Sequence, residues 1–205
     1  WLYRHPFEGA SALRYARRER PAFGDLDERL LDALAPELAA ARRALDVGAG
    51  PGTTAAALRA RHPHLDVIAV EPGRELAAAL PARGALAVRP RGEQLPLATA
   101  AVDVAVCVSA IRHVRDRAAA LAELRRVVRP GGVALVVELD PQADRRRARA
   151  HAGALGSPVL RAAFTPLVLR TAPRAGDVAA LARAAGWRVA LAADPVQPVY
   201  VMRLA

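Results

Sequence analysis

The residues best placed to do chemistry sit in Asp46-Val47-Gly48-Ala49-Gly50-Pro51-Gly52 and, further on, at Glu71. Glycines at alternate positions behind an apolar run let backbone N–H groups approach a ligand, because no Cβ stands in the way. A carboxylate about 20 residues beyond such a turn, closing a second apolar run, can accept hydrogen bonds from both hydroxyls of a ribose. Glu71 ends the run Leu65-Asp-Val-Ile-Ala-Val70 and has that placement. Together they describe a cradle for a nucleoside-bearing ligand. Two familiar versions fail on the residues. The dinucleotide fingerprint would put its third glycine at position 53, where the chain has Thr53. The phosphate-cradling loop requires a lysine, and the chain contains none.

These residues need strands and helices to hold them. Valines at 102, 104, 106 and 108, with Ala105 and Cys107 between them, are apolar on both faces, as central parallel strands covered by helices must be. We place strands near 44–48, 66–71, 85–89, 102–108 and 133–139, with helices near 53–61, 74–82 and 116–128. Asp25–Arg43 carries Leu26, Leu30, Leu31, Leu34 and Leu38 at helical spacing and reads as one amphipathic helix. Pro130-Gly131-Gly132 breaks the chain between the helix and the fifth strand. An Arg-rich helical segment covers 144–170, a helix 175–185, and strands 187–192 and 199–204. The expected fold is α/β: a Rossmann-like, doubly wound, seven-stranded, mostly parallel sheet whose last strand is antiparallel, with helices on both faces. Residues 1–205 read as a single domain, with a cap or lid over 1–43, a core over 44–141 and an acceptor-side insert with the last strands over 142–205.

Ser109, Ala110 and His113 follow the fourth strand, at the carboxyl edge where open α/β sheets bind ligands. With an ordinary pKa near 6.5, His113 is the candidate general base; otherwise it caps a helix or packs over the bound ligand. Its neighbour Arg112 either meets an acidic acceptor or stays solvated. His62, His64 and His151 read as inert surface side chains.

The pieces LDVGAGPG (45–52), VEPG (70–73), GEQLPL (92–97), AVDVAVCVSAIRHV (101–114) and LAELRRVVRPGGVALVVELDP (121–141) resemble, in this order and spacing, the class I S-adenosylmethionine-dependent methyltransferases, and more narrowly their type 11 small-molecule subgroup. The resemblance implies S-adenosyl-L-methionine as cofactor. Asp46, Gly48, Ala49, Gly50 and Gly52 would surround its methionine part and ribose edge, with Glu71 on the ribose and Pro72 and Ser109 beside the pocket. It aligns 91–96 with the stretch that recognises adenine, where a short acceptor side chain is usual. Arg91 cannot accept a hydrogen bond, so recognition falls to backbone groups around Gly92 and Glu93 or to another side chain; Glu93 could instead cap the next helix. Tyr15-Ala-Arg-Arg-Glu-Arg20-Pro21 is similar to a segment that closes over the cofactor, with Tyr15 as gate. Residues 144–170 would roof the acceptor pocket. Methyl transfer from a sulfonium needs positioning more than it needs a metal or a covalent nucleophile, so no metal site is expected.

Composition narrows the partners. A net charge of +10 invites nucleic acid. However, every Lys/Arg cation is Arg, these are scattered, and only 4% of residues are aromatic, so bases find little to stack on. Ser109-Ala-Ile-Arg112 also stands where an amino-group methyltransferase of bases would carry an N-P-P-Y type tetrapeptide. The expected partner is a small-molecule acceptor; nucleic acid is disfavoured. Apolar runs are far shorter than the ~20 residues of a membrane span, and no basic-then-apolar leader precedes the core, so we expect a cytoplasmic protein with no membrane partner, monomeric or homodimeric. Position 1 is Trp rather than Met, which points to a trimmed or disordered start. The single Cys107 lies in a strand and offers neither disulfide nor zinc chemistry. Two other readings stay open: an RNA methyltransferase, and a catalytically silent cofactor-binding module.

Overall fold

The computed structural model describes Gly9, residues 23–80, the backbone of 86–88, and residues 92–205. Tyr15 and Arg91 lie outside the described residues. Seven strands are described: β1 (Arg43–Val47), β2 (Asp66–Val70), β3 (Leu86–Val88), β4 (Val102–Val108), β5 (Val128–Leu139), β6 (Val189–Ala193) and β7 (Val199–Leu204). They form one sheet in the order β3-β2-β1-β4-β5-β7-β6. Pairs β1·β2, β1·β4, β2·β3 and β4·β5 are parallel; β7 runs antiparallel to both β5 and β6. The doubly wound, mostly parallel sheet expected from the sequence is what the chain builds. Its order reverses between β1 and β4, the switch point at which the carboxyl ends of adjacent parallel strands open a crevice.

Helices cover both faces. On one, α1 (Leu26–Ala33), α2 (Ala35–Ala40) and α3 (Thr53–Arg61) press Leu30, Leu31, Leu38, Ala55 and Leu58 against Val104, Val106, Leu135 and Val137. On the other, α5 (Arg117–Val127) and α8 (Ala175–Ala184) bring Leu121, Leu124, Val178 and Ala182 against Leu45, Ala105, Cys107 and Val136. Strands β1, β2, β4, β5 and β7 therefore feed alternate side chains into two cores, which is why β4 is apolar from Val104 to Val108. The helix α4 (Arg74–Ala79) follows β2, while α6 (Arg145–Gly153), α7 (Pro158–Ala163) and a π-helical turn (Phe164–Leu169) make up the insert. No described helix is long and apolar enough to cross a membrane.

Three expectations change. The helix expected over Asp25–Arg43 is two helices: Pro36, which has no N–H, opens α2, and the Leu34 N–H turns back to Leu31 O at 3.2 Å, ending α1. Residues from Arg43 onward are already strand. Pro130-Gly131-Gly132 does not precede the fifth strand but bulges within it, since Val102 pairs with Val128 and Val104 with Val133. Finally, the strand expected from Trp187 begins at Val189, because Trp187 is buried under α5 and donates its indole N–H to Leu121 O at 3.1 Å.

The bulge has no room for a side chain at Gly132. A Cβ there would stand 2.6 Å from Asp103 O and 2.7 Å from Val128 Cγ1. Gly132→Ala is therefore expected to cost about 1–3 kcal/mol of stability. Gly153→Ala, at the open end of α6 with nothing within 4 Å, should change it by less than about 0.5 kcal/mol or raise it. Urea midpoints of the two variants provide the comparison; equal midpoints would contradict the bulge geometry.

Candidate cofactor and acceptor site

β1 ends at Val47 and the chain turns through Gly48, Gly50 and Gly52, with φ of 71°, 54° and 83°. All three lie in the left-handed region that side chains disfavour. Gly48 has a second constraint, because a Cβ there would sit 2.4 Å from Ala110 Cβ. The turn after β1 is thus pressed against the turn after β4. It is also sewn to β2: Gly48 N and Ala49 N donate to Val70 O at 2.7 and 3.0 Å. Beyond Gly52, which caps α3 in the left-handed conformation, the first-turn N–H groups of a helix face the same crevice.

Glu71 joins these parts. One carboxylate oxygen accepts from Gly50 N at 2.9 Å and the other from Gly73 N at 2.8 Å. The side chain is buried, and this burial raises its pKa, while the two amide donors oppose the shift. A carboxylate has about four lone-pair sites, so two amides leave acceptor capacity for two hydroxyls. Pro72, next in the chain, is exposed at the rim, and Asp46 is buried at the end of β1.

On the β4 side, Ser109 adopts φ 55°, unusual for a residue with a side chain, while its N–H donates to Val137 O at 2.7 Å. A short turn over Ile111–His113 follows. His113 keeps an exposed edge, yet desolvation by the surrounding protein and, secondarily, the charge of Arg112 lower its pKa to about 4. Its imidazole is neutral at physiological pH and a weak proton acceptor. Gly92 approaches from a third side: a Cβ on it would stand 3.7 Å from both Val47 and Val114. Glu93 accepts from Arg115 N and Asp116 N at 3.0 and 3.3 Å, just ahead of α5, which is the capping role weighed for it. Below Gly92, a cavity of about 20 Å³ lined by Val47, Leu95, Cys107 and Val136 is apolar and too small for more than one water.

The carboxyl edge therefore brings together Asp46, Gly48, Ala49, Gly50, Gly52, Glu71, Pro72, Gly92, Glu93, Ser109 and His113. Two basic residues are not where the sequence put them. Arg112 is neither solvated nor free to meet an acceptor, for its side chain is 4% exposed. It lies 3.6 Å from the wholly buried Glu138 and donates to Val168 O in the insert at 2.6 Å. His151 is likewise buried rather than on the surface. It stacks on Phe164, meets Phe23 edge-on, and shares a 2.9 Å hydrogen bond with Gln197. Glu138 was missed altogether, although an acid inside Val136-Val137-Glu138-Leu139 is a signal: a charge in a central strand needs a partner. Among the described residues no His, Cys, Asp and Glu cluster could hold a metal ion.

A methyltransferase domain family matches residues 45–136. A ubiquinone/menaquinone biosynthesis C-methyltransferase of Syntrophotalea carbinolica is 37% identical over 107 residues, covering 49% of this chain and 45% of that protein. An uncharacterized methyltransferase of Mycobacterium tuberculosis is 42% identical over 126 residues, covering 60% and 48%. The chain spans about half the length of these curated relatives. Among solved structures, a candidate S-adenosyl-L-methionine-dependent methyltransferase of Methanococcus maripaludis superposes with a TM-score of 0.74 at 13% identity, covering 97% of this chain and 93% of that one. An Aquifex aeolicus S-adenosylmethionine-dependent methyltransferase gives 0.65 at 16% identity, covering 92% and 98%. A [4+2]-cyclase gives 0.59 at 22% identity over 82% of this chain and 61% of that one, so one fold serves more than one reaction. Residues 45–136 thus match a methyltransferase domain family, and the fold is the one shared with these solved structures.

Proposed function

We propose that this protein transfers the methyl group of S-adenosyl-L-methionine to an O, N or C atom of a small-molecule acceptor. The observation that carries the reading is the 2.9 Å bond between Gly50 N and Glu71 at the carboxyl ends of β1 and β2, within the matched methyltransferase segment. Glycines held at left-handed φ, one of them without room for a Cβ, and a buried carboxylate with spare lone pairs fit the ribose and chain of an adenosyl cofactor, and the helix N-terminus beside them suits the carboxylate of its methionine part. When bound, the cofactor supplies a methyl group already activated by that positive charge. The chain's own work is to hold and orient: Glu71 accepts from the ribose hydroxyls, the amides of 48–52 line the methionine part, and Gly92 and Glu93 border adenine. Asp46, Ser109 and Pro72 complete the wall. Named relatives methylate carbon in one case and oxygen in another, so both atoms remain within the proposal.

In this reading His113 takes the acceptor's proton at its imidazole. A neutral hydroxyl or amine becomes strongly acidic as it gains a methyl, so a base with a pKa near 4 can still receive the proton late in the transfer. Scattered arginines and an aromatic content of only 4% favour a small acceptor over RNA.

Two measurements test the site. Glu71→Ala should weaken S-adenosylhomocysteine binding in calorimetry by about 10- to 100-fold, the equivalent of ~1.5–3 kcal/mol for bonds to a charged group. Unaltered affinity would remove Glu71 from the cofactor site. With an acceptor found by screening, kcat/KM should be flat from about pH 5.5 to 8, because a base held near 4 is already deprotonated there. His113→Ala should lower the rate by about 100-fold or more. An acid limb centred near 6.5 would contradict the lowered pKa, and unchanged turnover in the variant would end the role of His113 as base.

A further inference from the structure

The insert must be held over the carboxyl edge by something other than chain connectivity, and the contacts single out one side chain. Arg112 sits in the short turn after β4, two residues beyond Ala110, which packs on Gly48. Its guanidinium reaches in two directions at once. One nitrogen faces Glu138 near the end of β5 at 3.6 Å, and another donates to Val168 O in the π-helical turn at 2.6 Å. Its backbone N–H donates to the second Glu138 oxygen at 3.2 Å. Arg117 fixes the same turn from below, donating to Ile111 O and Arg112 O at 3.2 and 3.4 Å. Both partners of the pair are shut off from water, with side-chain exposures of 4% and 0%. A π-helical turn is an irregular element that opens the regular ladder, and this one carries Pro166 at its centre. Its inner face nonetheless sends Phe164 and Leu169 into the core beside Leu139 and Val199.

We propose that Arg112, anchored by Glu138, is the positioning residue that fixes the Phe164–Leu169 turn to the carboxyl edge of the sheet and so sets the wall of the acceptor space. The acceptor half of this statement rests on the proposed methyl transfer; the fixing of the turn does not. A buried acid in the otherwise apolar stretch Val133–Leu139 is costly unless it has a task, and here its task is to hold a planar fork whose other prong grips the roof. The charge needed by Glu138 and the reach needed by Val168 are separable. Lysine at 112 supplies a point charge for the carboxylate but no second prong in the fork geometry.

Hydrogen–deuterium exchange on the full chain tests this without an acceptor. In Arg112→Lys, amides of 164–170 should exchange at least ten-fold faster while β4 and β5 keep wild-type protection. S-adenosylhomocysteine affinity should stay within about two-fold. Glu138→Gln should release the same segment. If either variant fails to fold, the wild type still decides: Arg112 should give resolved, slowly exchanging guanidinium proton signals in NMR spectra, as a doubly engaged buried fork must. On whichever acceptor the wild type methylates, Arg112→Lys should raise KM and leave kcat within about two-fold. Unchanged protection of 164–170 in both variants, equal loss of protection throughout the chain, or freely exchanging Arg112 signals would overturn the proposal. A null result in the acceptor screen, by contrast, would bear on methyl transfer and leave the exchange result standing.

Discussion

The candidate site depends on one carboxylate that ties two backbone turns together. Glu71 closes β2 and accepts from Gly50 N and Gly73 N at 2.9 and 2.8 Å, so the turn after β1 and the turn after β2 hold one shape. The glycines make that shape reachable, since left-handed φ values at 48, 50 and 52 cost them little, and the close approach of Gly48 to Ala110 extends the constraint to β4. Burial raises the proton affinity of Glu71, and the two donors counter it. The two amides thus favour the charged form that burial disfavours. From this point the crevice at the β1–β4 reversal of strand order follows from topology.

Much of this was legible in the sequence because it is written in short-range patterns. Alternation of Val102, Val104, Val106 and Val108 with small apolar residues announces a strand covered on both sides, and the two-core packing is the outcome. The glycines at alternate positions and the acid about 20 residues later belong to adjacent parallel strands, whose register brings Val47 opposite Val70 and so the two turns together. The positions that were misread depend on long-range packing instead. Arg112 looks like a surface cation until Glu138, 26 residues later, is brought beneath it. His151 looks inert until Phe23, Phe164 and Gln197 close around it from three different segments. Pro36 and Gly132 carried local signals that a coarse helix and a coarse break absorbed, where the fold uses a helix joint and a bulge.

The insert is held to the core by buried polar links rather than by apolar contact alone. Arg147 bonds Asp194 O, Arg29 pairs with Asp194, and Asp194 accepts from Val196 N and Gln197 N at 2.9 and 2.6 Å. With the His151–Gln197 bond, these contacts connect α1, α6 and the β6–β7 hairpin at one end of the sheet. Arg112 and Glu138 make the corresponding link at the site itself. Burial raises the Glu138 pKa to about 7 even against the pull of Arg112, so loss of that partner would raise it further. Specific polar links of this kind fix one arrangement of the roof where apolar packing would tolerate several.

The central claim is that the glycine turn and Glu71 grip a single adenosyl group. A crystal structure grown with S-adenosylhomocysteine tests it most directly. Both ribose hydroxyls should lie within hydrogen-bonding distance of the Glu71 carboxylate, with the homocysteine chain along the amides of Gly48–Gly52. Density for the ligand elsewhere on the sheet, or an unchanged turn with no ligand at saturating concentration, would contradict it.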